Sequence, residues 1–131
     1  MSDAREPSQR VKECAFLEGV LRRCPGHLPT MEALGDLYTK LGRIDEGLVI
    51  DESLTRADPR NPTYAYNLAC SLALTGQKEQ AIAALNRAVH LGYDDLEWLL
   101  KDDDLDSIRK HPHFVLILVQ LKSRQNNSPA T

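Results

Sequence analysis

A chain of 131 residues, 42% hydrophobic and 27% charged, has the length and composition of one folded domain with a true core, not of two domains or a disordered chain. Aromatic residues are only 5%, which counts against a β-sandwich or barrel and against a platform that stacks nucleic-acid bases. A net charge of −3 supplies no basic field for nucleic acid or an anionic membrane surface, so neither is expected as a partner.

The start, MSDAREPSQR, is polar and lacks the apolar stretch of a secretory signal. Within residues 1–27 a polar segment is expected to lead into one helix ending before Pro25, with Leu17 and Val20 on its apolar side. Next comes an internal repeat. Leu34-Gly35-x-x-Tyr38-x-x-x-Gly42 recurs as Leu68-Ala69-x-x-Leu72-x-x-x-Gly76, an offset of 34 residues, and Asp45, Leu48 and Leu54 fall opposite Glu79, Ile82 and Ala88.

Leu34, Gly35, Tyr38 and Leu41 share one stripe of a first helix, and Leu68, Ala69 and Leu72 repeat it. Gly35 and Ala69 are small where a partner helix crosses; Gly47 and Ala81 are the small residues of that partner, with Leu85 further along its second copy. Gly42 and Gly76 close the first helix of each pair, and Pro59 and Pro62 bracket the break between repeats. The repeats therefore occupy residues 28–61 and 62–95.

Residues 96–123 are expected to cap the array. A short helix should run from Asp95 to about Lys101, a turn should follow around Asp102 to Asp106, and a last helix should begin at Pro112 and reach about Lys122. Phe114 to Val119 are apolar on every side of that helix, so Phe114, Leu116, Ile117 and Val119 are candidate contacts of a weak homodimer. The tail, 124–131, is expected to be disordered.

Catalytic and metal motifs are weak. Asp102, Asp104 and Asp106 have the spacing that opens a calcium loop, but Ser107 replaces its turn glycine and His113 stands where a bidentate glutamate should close it. His111-Pro112-His113 is not an i, i+4 ligand pair. Cys14, Cys24 and Cys70 cannot all pair and show no C-x-x-C spacing, which fits a reducing cytoplasm, and the longest strongly apolar run is far short of the roughly 20 residues that span a bilayer. The chain has no nucleophile elbow and no phosphate-cradling glycine loop, so neither an enzymatic activity nor a metal or cofactor is expected.

The 34-residue period and its small-residue positions resemble the tetratricopeptide repeat over about residues 28 to 93. This resemblance implies an all-α fold of antiparallel helix pairs in a right-handed solenoid, with the N-terminal helix as the second half of a preceding repeat. The stretch from Leu99 to Phe114 is similar to an extension that follows such repeats in many bacterial proteins. Met31 and Ala65 depart from the family, which often has an aromatic there, and so does Asp51, a charge where the family usually has a large apolar residue.

The resemblance also implies that the first helix of each pair lines a concave groove. Its off-stripe residues are Glu32, Asp36 and Thr39 in the first repeat and Thr63, Tyr66, Cys70 and Ala73, with Asn67 beside them, in the second. Glu32 and Asp36 make one end acidic, whereas Tyr66 and Asn67 offer a ring and an amide. Some family members grip acidic chaperone tails with basic residues and asparagines, and only Asn67 matches that clamp. The implied function is a non-enzymatic module that holds a basic or mixed-charge peptide or helix of another protein. The alternatives are a polar face that merely meets water and a homodimeric assembly protein joined through the last helix.

Overall fold

In the structure, a computed structural model, residues 6–126 are described, and every regular element among them is helical. Helix α1 (Pro7–Arg23) precedes two antiparallel pairs, α2 (Leu28–Lys40) with α3 (Ile44–Ala57) and α4 (Pro62–Leu74) with α5 (Lys78–His90). A short helix α6 (Leu96–Lys101), a 3₁₀ helix (Asp103–Ile108) and α7 (Pro112–Asn126) complete the chain.

Local chemistry fixes the boundaries. Asn61 Oδ1 accepts the Tyr64 backbone N–H at 3.1 Å to start α4, and Asp95 Oδ1 accepts that of Trp98 at 3.0 Å to start α6. Gly42 and Gly76 take φ of 78° and 79°, after which the N–H of Arg43 bonds the Tyr38 carbonyl (2.8 Å) and that of Gln77 bonds the Leu72 carbonyl (2.9 Å). Both are glycine-closed helix ends, where a Cβ would be strained in the left-handed region.

Glycine also sets the first crossing. A Cβ on Gly35 would lie 3.0 Å from Ile50 Cγ2, and one on Gly47 would lie 3.1 Å from Thr39 Oγ1, so α2 and α3 touch almost backbone to backbone. In the second pair Ala69 and Ala81 occupy the same places and are fully buried. Leu34, Tyr38, Leu54, Leu72, Leu85 and Ala88 are also buried, while Leu68 is half-buried and Pro59 lies exposed between the pairs.

Helix α1 packs on α2 as the solenoid's first layer. Cys14 joins Leu34, Leu37 and Tyr38 in its core, and the Tyr38 hydroxyl donates to Glu18 Oε2 at 2.7 Å. Arg43 stacks 4.5 Å above the Tyr38 ring and grips Glu46 through two nitrogens. The helix begins at Pro7, so the end of the polar start, Pro7 to Arg10, is already helical.

The C-terminal third folds back on α4 and α5. One core joins Ala69, Leu72, Leu85 and Val89 to Leu99, Leu105, Ile108, Phe114, Ile117 and Leu121. Phe114 and Ile117 are therefore interior residues rather than dimer contacts: they fill the space the second repeat leaves open. Leu116 and Val119 stay 62% and 58% exposed. The expected turn at Asp102 to Asp106 is instead the start of the 3₁₀ helix, held by Arg109, whose guanidinium donates to the carbonyls of Leu100 (2.8 Å) and Asp102 (2.6 Å) and closes the open end of α6.

Helix α7 runs past the expected end at Lys122. Arg124 donates to the Val89 carbonyl at 2.5 Å and Gln125 to that of Asp94 at 2.8 Å, which ties the last turn to the end of α5 and makes residues 124–126 helical. The remainder of the expected disordered tail, 127–131, lies outside the described residues, as do 1–5. No helix among the described residues is long and apolar enough to cross a membrane.

Candidate functional site: an acidic cleft

The concave side of the solenoid holds a cleft bounded by α2, α3, α4 and the folded-back cap. Glu32, Asp36, Thr39, Tyr66, Asn67 and Cys70, all expected in the groove, line it together. Two other expected residues do not. Thr63 is exposed at the start of α4, away from the cleft, and Ala73 is buried because the cap covers it, with the Ser107 hydroxyl donating to its carbonyl at 3.0 Å.

Tyr66 and Cys70 also differ from the expectation of an open groove, since both are buried. The Tyr66 ring lies flat on Tyr93 with centroids 4.2 Å apart, and its hydroxyl donates to Asp102 Oδ2. Cys70 Sγ donates to the same oxygen at 3.6 Å, while Asp102 Oδ1 accepts the Asp104 backbone N–H at 3.1 Å. Burial raises both the Tyr66 phenol and the Cys70 thiol far above their ordinary pKa, so both stay protonated and serve as donors. This network locks the cap onto α4 and narrows the groove to a cleft.

The remaining lining residues were not among those expected: Asp51, Ser71, Trp98, Asp102 and Asp104, with Gly35 between them. Five carboxylates thus meet in one concavity. Asp51 is only 7% exposed, yet it receives a single side-chain hydrogen bond, from the Ser71 hydroxyl to Oδ2 at 2.5 Å. Burial pushes its pKa up to about 6 against the pull of Ser71, and the charges of Asp36 and Glu32 raise it further. Asp104 is likewise pushed up to about 6, first by burial and then by Asp102, Asp103, Asp36 and Asp106. Lys40 pairs with Asp36 at 2.7 Å on the rim.

Such a field attracts cations. Cys70 Sγ and carboxylate oxygens of Asp102 and Asp104 lie within 4.8 Å of one another, the donor group among the described residues that comes nearest to a metal set. They fit a metal poorly, because both Asp102 oxygens already accept hydrogen bonds and the Cys70 thiol donates to one of them. Nor do Asp102, Asp104 and Asp106 form a calcium cage, since Asp106 turns to Arg109 at 3.2 Å. His111 pairs with Glu79 at 3.0 Å instead of converging with His113 on a metal.

Antiparallel helix pairs stacked at a fixed sequence period define an α-solenoid. Residues 62–91, which span α4 and α5, match the family model of the tetratricopeptide repeat. A chloroplastic protein of Arabidopsis thaliana is 30% identical over 96 residues, 71% of this chain, and the chain spans 29% of that relative's length. Among solved structures, MamA from Desulfovibrio magneticus RS-1 and a double mutant of MamA each align with a TM-score of 0.67 at 20% identity, covering 92% of this chain and 70% of theirs. The chain carries a tetratricopeptide repeat and folds as a solenoid of that kind.

Proposed function

We propose that this chain is a non-enzymatic interaction module whose acidic cleft holds a basic or mixed-charge segment of another protein. The repeat and the solenoid support a protein-binding role in general. The observation that carries the finer reading is the convergence of Glu32, Asp36, Asp51, Asp102 and Asp104 on one cleft, with Tyr66 and Asn67 from the neighbouring helix in its wall. A field of one sign inside a concavity raises the local concentration of the opposite charge and repels an acidic tail.

Synthetic peptides graded from acidic to basic, titrated against the full chain, test this reading. Binding strengthens with positive charge and weakens with added salt, and Glu32→Lys with Asp36→Lys lowers capture of the basic peptide about tenfold or more, as expected for charge reversal at a binding rim. The same affinity in the double variant would take the groove's acidic end out of the reading.

A second reading rests on α7, whose outer face shows Val115, Leu116 and Val119 to solvent. Such a stripe suits a homodimer contact. Sedimentation equilibrium at tens of micromolar gives twice the chain mass if this holds, and Leu116→Lys restores the monomer; a monomeric wild type at that concentration excludes it.

A further inference from the structure

We propose that the cleft is a socket for one arginine side chain of the bound partner, its guanidinium seated between Asp51 and Asp104 with Trp98 beside it. The inference deepens the proposed function and rests on it. Asp51 and Asp104 reach the cleft from different elements, α3 and the 3₁₀ helix, and Trp98 comes from α6.

Asp51 carries the argument. It is more than nine-tenths buried, lines the cleft, and has no ion-pair partner among the described residues; Ser71 serves Oδ2 and no described donor serves Oδ1. A buried carboxylate in that state lacks the charge partner that normally accompanies burial. Oδ1 lies beside Gly35, 3.3 Å from where a Cβ would project, and both residues line the cleft. Asp104, half-buried, also has no side-chain partner among the described residues.

Guanidinium fits this arrangement better than other cations. It presents five N–H donors in one plane, serves two carboxylates at once, sheds water more readily than an ammonium, and packs flat against an aromatic ring. An ammonium offers the same charge at one point. A metal ion would need Asp102 and Cys70, which are already committed to holding the cap.

The test is an amide NMR titration of the full chain at low salt with Nα-acetyl-arginine N-methylamide, its neutral citrulline counterpart and its lysine counterpart. Shifts centred on Gly35, Cys70 and Asp104 with the arginine probe, at least about tenfold weaker with citrulline and clearly weaker with lysine, support the socket; tenfold corresponds to about 1.4 kcal/mol. Asp51→Asn and Asp104→Asn should each weaken the arginine probe by about the same factor. Equal binding of arginine and citrulline, equal binding of arginine and lysine, or full binding by both variants would overturn it. If the arginine probe fails while Glu32→Lys with Asp36→Lys still weakens the basic peptide, the socket falls and the groove stands; if neither responds, both fall.

Discussion

Asp51→Asn makes the protein more stable at pH 7, by about 3 kcal/mol, the order implied by a carboxyl raised from 3.8 to about 6. Asparagine keeps an oxygen for the Ser71 hydroxyl and removes the buried charge. The pH dependence carries the signature. Because the folded pKa lies above the unfolded one, the native state binds the extra proton between about pH 4 and 6, so the stability this carboxyl contributes is fully present below pH 4 and is lost as pH rises through 6. Urea unfolding from pH 4 to 8 should show the variant's advantage growing across that window and levelling above it. A variant equal to wild type at pH 7, or less stable, would mean that Asp51 is neutralised by a partner in the folded chain and would remove the physical basis of the arginine socket. A stabilising substitution that also weakens arginine capture is the behaviour of a residue held against the interests of the fold.

Asp51 also shows how far sequence reading reaches here. The repeat was legible because its determinants are local: Gly42 and Gly76 must take positive φ where each first helix ends, and Gly35 and Gly47 must be small where α2 and α3 cross. Asp51 was visible as an exception, a charge at an apolar position. Its neighbours were not, because Ser71 lies twenty residues on and belongs to the next repeat. The groove set of Glu32, Asp36, Thr39, Tyr66, Asn67 and Cys70 followed from helical spacing alone. That spacing treats the concave face as open, and the chain closes part of it by contacts outside the repeat pattern: Tyr66 with Tyr93, Tyr66 with Asp102, Ala73 with Ser107. Nothing in a helical stripe tells which side chain will be covered by a segment that follows two helices later in the chain. The same limit explains α7, where an all-round apolar run marked burial without saying which residues would be interior and which would face solvent.

Closure by the cap makes the second large effect testable at one ring. Phe114 is fully buried among Leu85, Leu99, Leu105 and Ile108, with the Arg109 guanidinium 5.8 Å from its centroid. Phe114→Ala should cost about 3–5 kcal/mol, the transfer of the ring plus the cavity it leaves, whereas Leu116→Ala, at a position 62% exposed, should stay within about 0.5 kcal/mol. Thiol chemistry locates the damage. In the wild type an aromatic disulfide reagent should react fast with exposed Cys24 and slowly with buried Cys14 and Cys70. Loosening the cap uncovers Cys70 while Cys14, packed between α1 and α2 at the other end of the solenoid, keeps its protection. Two fast thiols and one slow one in Phe114→Ala therefore report local opening, and the milder Phe114→Leu gives the same order at lower rate if alanine leaves too little folded protein. Cys14 and Cys70 rising together would show that the cap and the repeats unfold as one unit, and the cleft could then be opened only by unfolding the chain.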